Sequence, residues 1–223
     1  MHKTALVIGS SRGIGKELVK QFSDSGFKCH AFARSNKEQS SENVSYHFLD
    51  LNSTSVKDDF RKIADSISSF DYVVYNAGHI VVKPFTELSR EEIQSVYNVN
   101  VIAAMEILQV CIPKMASDGH IVLISSMGGF QGTMKFAGLS AYSTSKAALV
   151  SLTELLAEEY KDAGFSINCL CLGSVQTEML EEAFPGYQAA HSPEEMASFI
   201  HNFTVNSGRF FKGKIIPVSI STP

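Results

Sequence analysis

The segment that most constrains the fold is the first one. Lys3 to Ile8 is a short β-rich run, Gly9-Ser10-Ser11-Arg12-Gly13-Ile14-Gly15 follows it, and Lys16 to Phe22 then carries helical apolar spacing at Leu18, Val19 and Phe22. A strand that ends in a glycine loop and restarts as a helix reads as the opening of a dinucleotide-binding unit. The glycines let the backbone turn tightly and come close to a pyrophosphate, whose charge is met by free amides and the positive end of the helix. The spacing is G-x-x-x-G-x-G, not the commoner G-x-G-x-x-G, and a plain strand-to-helix turn is the competing reading. The location directly after the first strand favours phosphate binding, with Gly9, Ser11, Arg12, Gly13, Ile14 and Gly15 as the candidate contacts.

The pattern then repeats. Phe27 to Ala33 is a second strand ending at Arg34-Ser35, the point, about 20 residues past the glycines, where an acid would bind a ribose 2′-hydroxyl or an arginine a 2′-phosphate. No acid is present. Arg34, with Arg12 from the loop, favours NADP(H) over NAD(H). Val44 to Leu49 forms a third strand closing on Asp50, and Ser53 to Ser69 an amphipathic helix. Tyr72 to Tyr75 forms a fourth strand that runs into Asn76-Ala77-Gly78. A helix is predicted from Ser89 through Met115, with Asn100 awkward inside it: a core asparagine bonding backbone is one reading, and a helix-distorting residue that helps hold water is the other.

Gly119 to Ile124 is the fifth strand and delivers Ser125 and Ser126 to its end. After the loop Met127 to Leu139 comes a helix from Tyr142 to about Asp162, then a sixth strand, Phe165 to Leu172. An irregular stretch begins at Gly173, a helix spans Ser192 to Asn206, and Lys214 to Ser219 is a seventh strand. Strands alternating with helices imply right-handed crossovers and an α/β fold with a parallel sheet covered on both faces. With 223 residues, 44% of them apolar, one domain spanning 1–223 is expected.

Tyr142 and Lys146 lie four apart, so on a helix they share a face. A cation beside a phenol favours the phenolate and moves its proton transfer toward neutral pH. A formal net charge of -4 without a basic run argues against nucleic acid. The apolar run Thr4 to Gly9 is too short for a signal-peptide core, and Val96 to Ile112 is broken by Asn98, Asn100, Glu106 and Gln109, so no membrane span is expected. Cys29, Cys111, Cys169 and Cys171 show neither metal-ligand spacing nor a CxxC pair, which implies buried, reduced thiols in a cytoplasmic protein and no metal site.

Together these residues resemble the short-chain dehydrogenase/reductase family of the small, single-domain type, over almost the whole chain. Gly9, Gly13 and Gly15 match its glycine loop, Asp50 its adenine-side aspartate, and Asn76-Ala77-Gly78 its NAG motif. Asn100, Ser126, Tyr142 and Lys146 match its catalytic tetrad, with Ser126 chosen over Ser125 because the active serine stands second in such a pair, with Gly129 three residues on. Thr177 matches the residue that contacts the nicotinamide carboxamide. Departures are Ile8 for the usual threonine, Tyr75 for a frequent asparagine, Leu172-Gly173 for proline-glycine, a longer interval from Ser126 to Tyr142, and no Asp-Gly-Gly after the last strand.

The resemblance implies a Rossmann-like doubly wound sheet of about seven strands and hydride transfer between NADP(H) and a ketone, aldehyde or secondary alcohol, a 3-oxoacyl chain being one candidate. Tyr142 would be the general acid, Ser126 would bond the same oxygen, Lys146 would bind the nicotinamide ribose and tune Tyr142, and Asn100 would hold a water. It also implies a homodimer or homotetramer. The alternatives are a catalytically silent NADP(H)-binding redox sensor or interaction module, and an epimerase or dehydratase, which would need a larger substrate domain.

Overall fold

Leu6 and Ile8 point to one side of the first strand and Ala5 and Val7 to the other, and all four are fully buried. A strand apolar on both faces belongs in the middle of a sheet covered on both sides. The computed structural model, which describes residues 3–35 and 39–220, has that architecture. Its strands are β1 (Thr4–Ile8), β2 (Lys28–Ala33), β3 (Val44–Phe48), β4 (Phe70–Tyr75), β5 (Met115–Ser126), β6 (Ser166–Leu172) and β7 (Ile215–Val218). They form one sheet in the order β3-β2-β1-β4-β5-β6-β7, each pair parallel.

Helices α1 (Gly13–Asp24) and α7 (Pro193–Asn206) cover one face, burying Leu18, Phe22, Ile200 and Phe203 with Ala5, Val7 and Val74. On the other face lie α2 (Val56–Ala64), α4 (Ala103–Cys111) and α5 (Ser140–Glu159), where Phe60, Ile107, Leu108 and Leu149 pack against Leu6, Ile8 and Val73. A fully buried side chain of this size contributes about 1.5–3 kcal/mol relative to an exposed one. Along α5 the buried stripe is Ala141, Ser145, Leu149, Thr153 and Ala157, four residues apart and mostly small, so the helix lies close to the sheet.

The helix predicted over Ser89 to Met115 is interrupted. α3 (Arg90–Tyr97) passes into a π-helical turn, Asn98–Ile102, before α4 begins, and Ile112–Lys114 closes it as a 3₁₀ turn. Asn100 lies at the centre of the π turn, and the Tyr75 hydroxyl donates to the Val99 carbonyl within it. Such a bulge admits an extra residue into the helix and re-aims its side chains. The stretch Arg90–Lys114 is long and apolar enough to cross a membrane by length and composition alone, but half of its most apolar window is buried inside the fold.

The structure moves several expected boundaries. α1 starts at Gly13 inside the glycine loop, α2 is shorter than Ser53 to Ser69, and β5 begins at Met115, before Gly119. The stretch expected to be irregular after Gly173 contains a short helix, α6 (Glu178–Ala183), capped by Thr177.

Candidate active site

In a doubly wound sheet the ligand crevice opens beyond the strands' C-terminal ends, where the strand order reverses. Here the reversal falls between β1 and β4. Their exits, Gly9 and Asn76, border a cleft of about 920 Å³ that continues past the ends of β5 and β6. Backbone contacts hold this corner together. Asn76 Nδ2 donates to the Gly9 carbonyl at 2.8 Å and its backbone N–H to that of Ile8 at 2.9 Å. Gly9 has φ +87, and a Cβ on it would lie 2.6 Å from Ala77 Cα. A Cβ on Gly15 would lie 1.9 Å from the Gly9 carbonyl oxygen. Only glycine fits at these two points.

Arg12 precedes α1, which has no side-chain cap and no acid in its first turn. That leaves the positive helix end facing the cleft without a compensating group from its own helix, an environment that suits a pyrophosphate. Arg34, Asp50 and Leu51 border the same cleft from the ends of β2 and β3. Asp50 Oδ1 accepts from the Asn52 N–H at 3.0 Å, fixing the turn after β3. Arg12 is engaged elsewhere: its guanidinium grips both carboxylate oxygens of Glu182 on α6, with Nη2 to Oε2 at 2.9 Å. The Arg12 bond holds the Glu182 carboxyl below the usual carboxylate range.

At the other end, β5 and α5 bring Ser126, Tyr142 and Lys146 together. Gly129 makes this possible, because a Cβ there would lie 2.5 Å from the Lys146 carbonyl carbon. The two serines separate by role. Ser125 is buried and donates to the Lys146 carbonyl at 2.8 Å, whereas Ser126 is half-buried and accepts from the Gly128 N–H at 3.2 Å; both border the cleft, and the Ser126 hydroxyl favours the Tyr142 phenolate. Lys146 is 3% exposed and donates to the Ile124 carbonyl at 2.9 Å, its Nζ 5.9 Å from the Tyr142 ring centroid.

The electrostatics differ from the sequence expectation for Tyr142. Burial pushes its pKa above the usual phenol value, and the Ser126 bond offsets this only in part. Burial likewise lowers Lys146, to about 8. The neighbouring ammonium does not lower the phenol, because it is turned to the Ile124 carbonyl and both groups lie in a poorly solvated pocket.

Asn100 is fully buried and committed to protein partners. Its Oδ1 accepts from the His79 N–H at 2.7 Å, and its Nδ2 donates to the His79 carbonyl at 2.9 Å and to Ser145 Oγ at 2.8 Å. The side-chain amide thus clamps the chain just after Asn76-Ala77-Gly78, and both its N–H donors are used. Thr177 Oγ1 accepts from the Leu180 N–H as the cap of α6. A Cβ at Gly13 would lie 3.1 Å from Thr177 Cγ2, so α6 begins directly against the glycine loop.

Three features had no sequence signal. Glu182 meets Arg12 across 170 positions. His79 is held at both its backbone polar atoms. Lys135 donates to the Gly128 and Phe130 carbonyls and to Thr133 Oγ1, tying down the long loop after Ser126. All four cysteines are free and buried, and no cluster of three or more metal-ligating side chains occurs among the described residues.

A parallel sheet with this strand order, a glycine-built crevice at its switch point and an uncapped helix over it define a dinucleotide-binding α/β protein. Residues 3–188 match the family model for short chain dehydrogenases, and the chain belongs to that family. It is an oxidoreductase acting on CH–OH or C=O groups with a nicotinamide cofactor. It is 30% identical over 197 residues to an L-2,3-butanediol dehydrogenase of Corynebacterium glutamicum, covering 82% of this chain and 75% of that protein. It is 28% identical over 240 residues to the 3-oxoacyl-[acyl-carrier-protein] reductase FabG of Aquifex aeolicus, covering 97% and 96%. A crystal structure of a short chain dehydrogenase from Escherichia coli CFT073 complexed with NADPH superposes with a TM-score of 0.86 at 26% identity, covering 96% and 95%.

Proposed function

We propose that residues 1–223 form one NADP(H)-dependent carbonyl reductase or secondary-alcohol dehydrogenase domain with Tyr142 as its general acid and base. The observation that carries this reading is the meeting of Ser126, Tyr142 and Lys146 at one end of a cleft whose other end is the glycine loop. The cradle fits the cofactor: Gly9, Gly13 and Gly15 leave backbone exposed where side chains would intrude, and Ser11, Ile14 and the start of α1 offer amides to a pyrophosphate. Arg12 and Arg34 would meet a 2′-phosphate, Asp50 the adenine side, Asn76, Ala77 and Gly78 the crevice wall, and Thr177 the carboxamide. When bound, the nicotinamide supplies or accepts the hydride.

Tyr142 then moves a proton between its hydroxyl and the substrate oxygen, and Ser126 donates to the same oxygen. Lys146 holds the ribose hydroxyls and favours the phenolate once its ammonium turns from Ile124. Asn100, through the His79 clamp, fixes the wall beside Lys146. Met134, Phe136, Met179, Leu180, Phe184 and Tyr187 line the substrate end, which suits an apolar ketone or aldehyde, 3-oxoacyl chains among them. The FabG relative and the NADPH-bound structural neighbour support this choice of substrate class and cofactor.

Exposed Ile93, Ile102, Met105 and Leu155 on α3, the π turn, α4 and α5 give a second copy an apolar face, in keeping with a homodimer or homotetramer. A monomeric mass in light scattering would remove that part. The enzymatic reading is tested by following NADPH and NADH absorbance with a panel of carbonyls and alcohols. Turnover with NADPH is the expected result. Tight NADPH binding without turnover on any substrate would favour a silent redox sensor.

A further inference from the structure

The Arg12–Glu182 pair joins two parts of the molecule that have different tasks. Arg12 sits in the glycine loop, and Glu182 sits on α6, the helix that crosses the cleft. α6 has three acids, and they divide by direction. Glu181 turns away and accepts the Gly186 N–H at 3.0 Å. Glu178 and Glu182, four residues apart on one face, turn toward the loop: Glu178 Oε2 lies 3.3 Å from where a Gly13 Cβ would be, and Glu182 engages Arg12 with both oxygens. From the same helix, Met179 reaches the opposite end of the cleft, its Cε 3.8 Å from a Cβ position on Gly78, where Lys146 Nζ also comes to 3.4 Å.

A guanidinium offers one planar fork to a carboxylate or a phosphate, and Glu182 occupies the fork of Arg12. We propose that Glu182 is a specificity-setting residue, an internal carboxylate that competes with the 2′-phosphate of NADP(H) for Arg12 and so narrows the preference over NAD(H). The proposal rests on the reading of Arg12 as a 2′-phosphate ligand. Two observations support an exchangeable competitor. The pair is exposed, with 45% of the Arg12 side chain and 61% of the Glu182 side chain accessible, so either partner can leave without opening the core. Glu178 adds a second negative charge toward the same arginine. NAD(H), which lacks the phosphate, has no claim on Arg12 and leaves the pair in place.

The consequence is a difference between ligands. Removing the Glu182 charge strengthens binding of anything that carries a 2′-phosphate and leaves its counterpart without one unchanged. The expected size is roughly two- to fivefold, the scale of an exposed ion pair. Calorimetric titration of the full chain with NADPH, NADH, adenosine 2′,5′-bisphosphate and adenosine 5′-phosphate tests this without turnover, on the wild type, Glu182→Gln and Glu181→Gln. Glu182→Gln should tighten NADPH and the bisphosphate by that factor and leave NADH and the monophosphate unchanged, and Glu181→Gln should change none of the four. Equal tightening of both cofactors, the same shift from Glu181→Gln, or no shift in a protein that still prefers NADPH overturns the inference and leaves the proposed function standing. A wild type with no preference for NADPH over NADH and no affinity for the bisphosphate removes the Arg12 reading, and the inference with it.

Discussion

The two ends of the cleft are built from different materials. At the glycine loop the surface is backbone: Gly9, Gly15 and the Asn76 amide fit so closely that one added Cβ meets a carbonyl oxygen at 1.9 Å. At the end that holds Tyr142 the surface is side chain: a buried lysine, a phenol raised by burial and a half-buried serine. Backbone geometry gives a rigid cradle whose chemistry is fixed at every pH. Buried titratable side chains give a site whose charge depends on what enters it. The glycine end should therefore respond to volume, and the tyrosine end to charge and protonation.

The largest expected effect is at the tyrosine end. Tyr142→Phe removes the proposed proton donor and should lower turnover by about 10²–10⁴-fold, measured as initial rates with NADPH and any active carbonyl. A near-normal rate would put the proton transfer elsewhere.

Next comes an effect away from both ends. His120 is buried on β5, with Nδ1 2.9 Å from the Thr204 carbonyl and Nε2 bonded to Asn168, and burial lowers its pKa to about 4. The unfolded chain protonates it near 6.5, so between those values the unfolded state binds more protons and stability falls as pH drops from about 6.5 through about 4. The loss approaches roughly 3 kcal/mol. Burial lowers His30 on β2 to about 4 as well, so His120→Gln should reduce the slope of stability against pH in urea melts without abolishing it. An unchanged slope would mean that His120 is solvated in the native state.

At the glycine end, Gly15→Ala forces its Cβ into the Gly9 carbonyl and should destabilise the fold by about 1–3 kcal/mol, seen as a lower Tm. An unchanged Tm would show that the corner is looser than its contacts imply. Lys146 then sharpens the contrast. In the ligand-free protein it loses its charge at about pH 8, so NADPH affinity should weaken severalfold as pH rises through that value, and Lys146→Gln should flatten the curve. The smallest effect is expected from Lys135→Met, which frees the loop after Ser126 and should raise substrate KM a few-fold with kcat nearly kept. A fall in kcat alone would place Lys135 nearer the chemistry.

The same division explains what could be read from the sequence. The glycine loop and the strand alternation were legible because glycine identity and apolar runs are local consequences of backbone geometry. That Tyr142 and Lys146 share one helix was legible because their spacing matches the helix period. The bulge at Asn98–Ile102 was legible only as one of two readings of Asn100, because its form is set by long-range bonds from Asn100 to His79 and Ser145 and from Tyr75 to Val99. Helix α6 was missed because it is short and gains its place from contact with the glycine loop. The upward shift of Tyr142 reversed the expected direction, since spacing reveals a neighbouring charge but not the burial that outweighs it.

The most direct test of this division is to measure the NADPH dissociation constant and the turnover number together on Tyr142→Phe and Gly15→Ala. The expected result is a split: Tyr142→Phe binds NADPH nearly as the wild type does and does not turn over, whereas Gly15→Ala loses NADPH affinity first, its residual turnover at saturating NADPH staying much closer to the wild type. Loss of binding and turnover in the same proportion in both variants would contradict it.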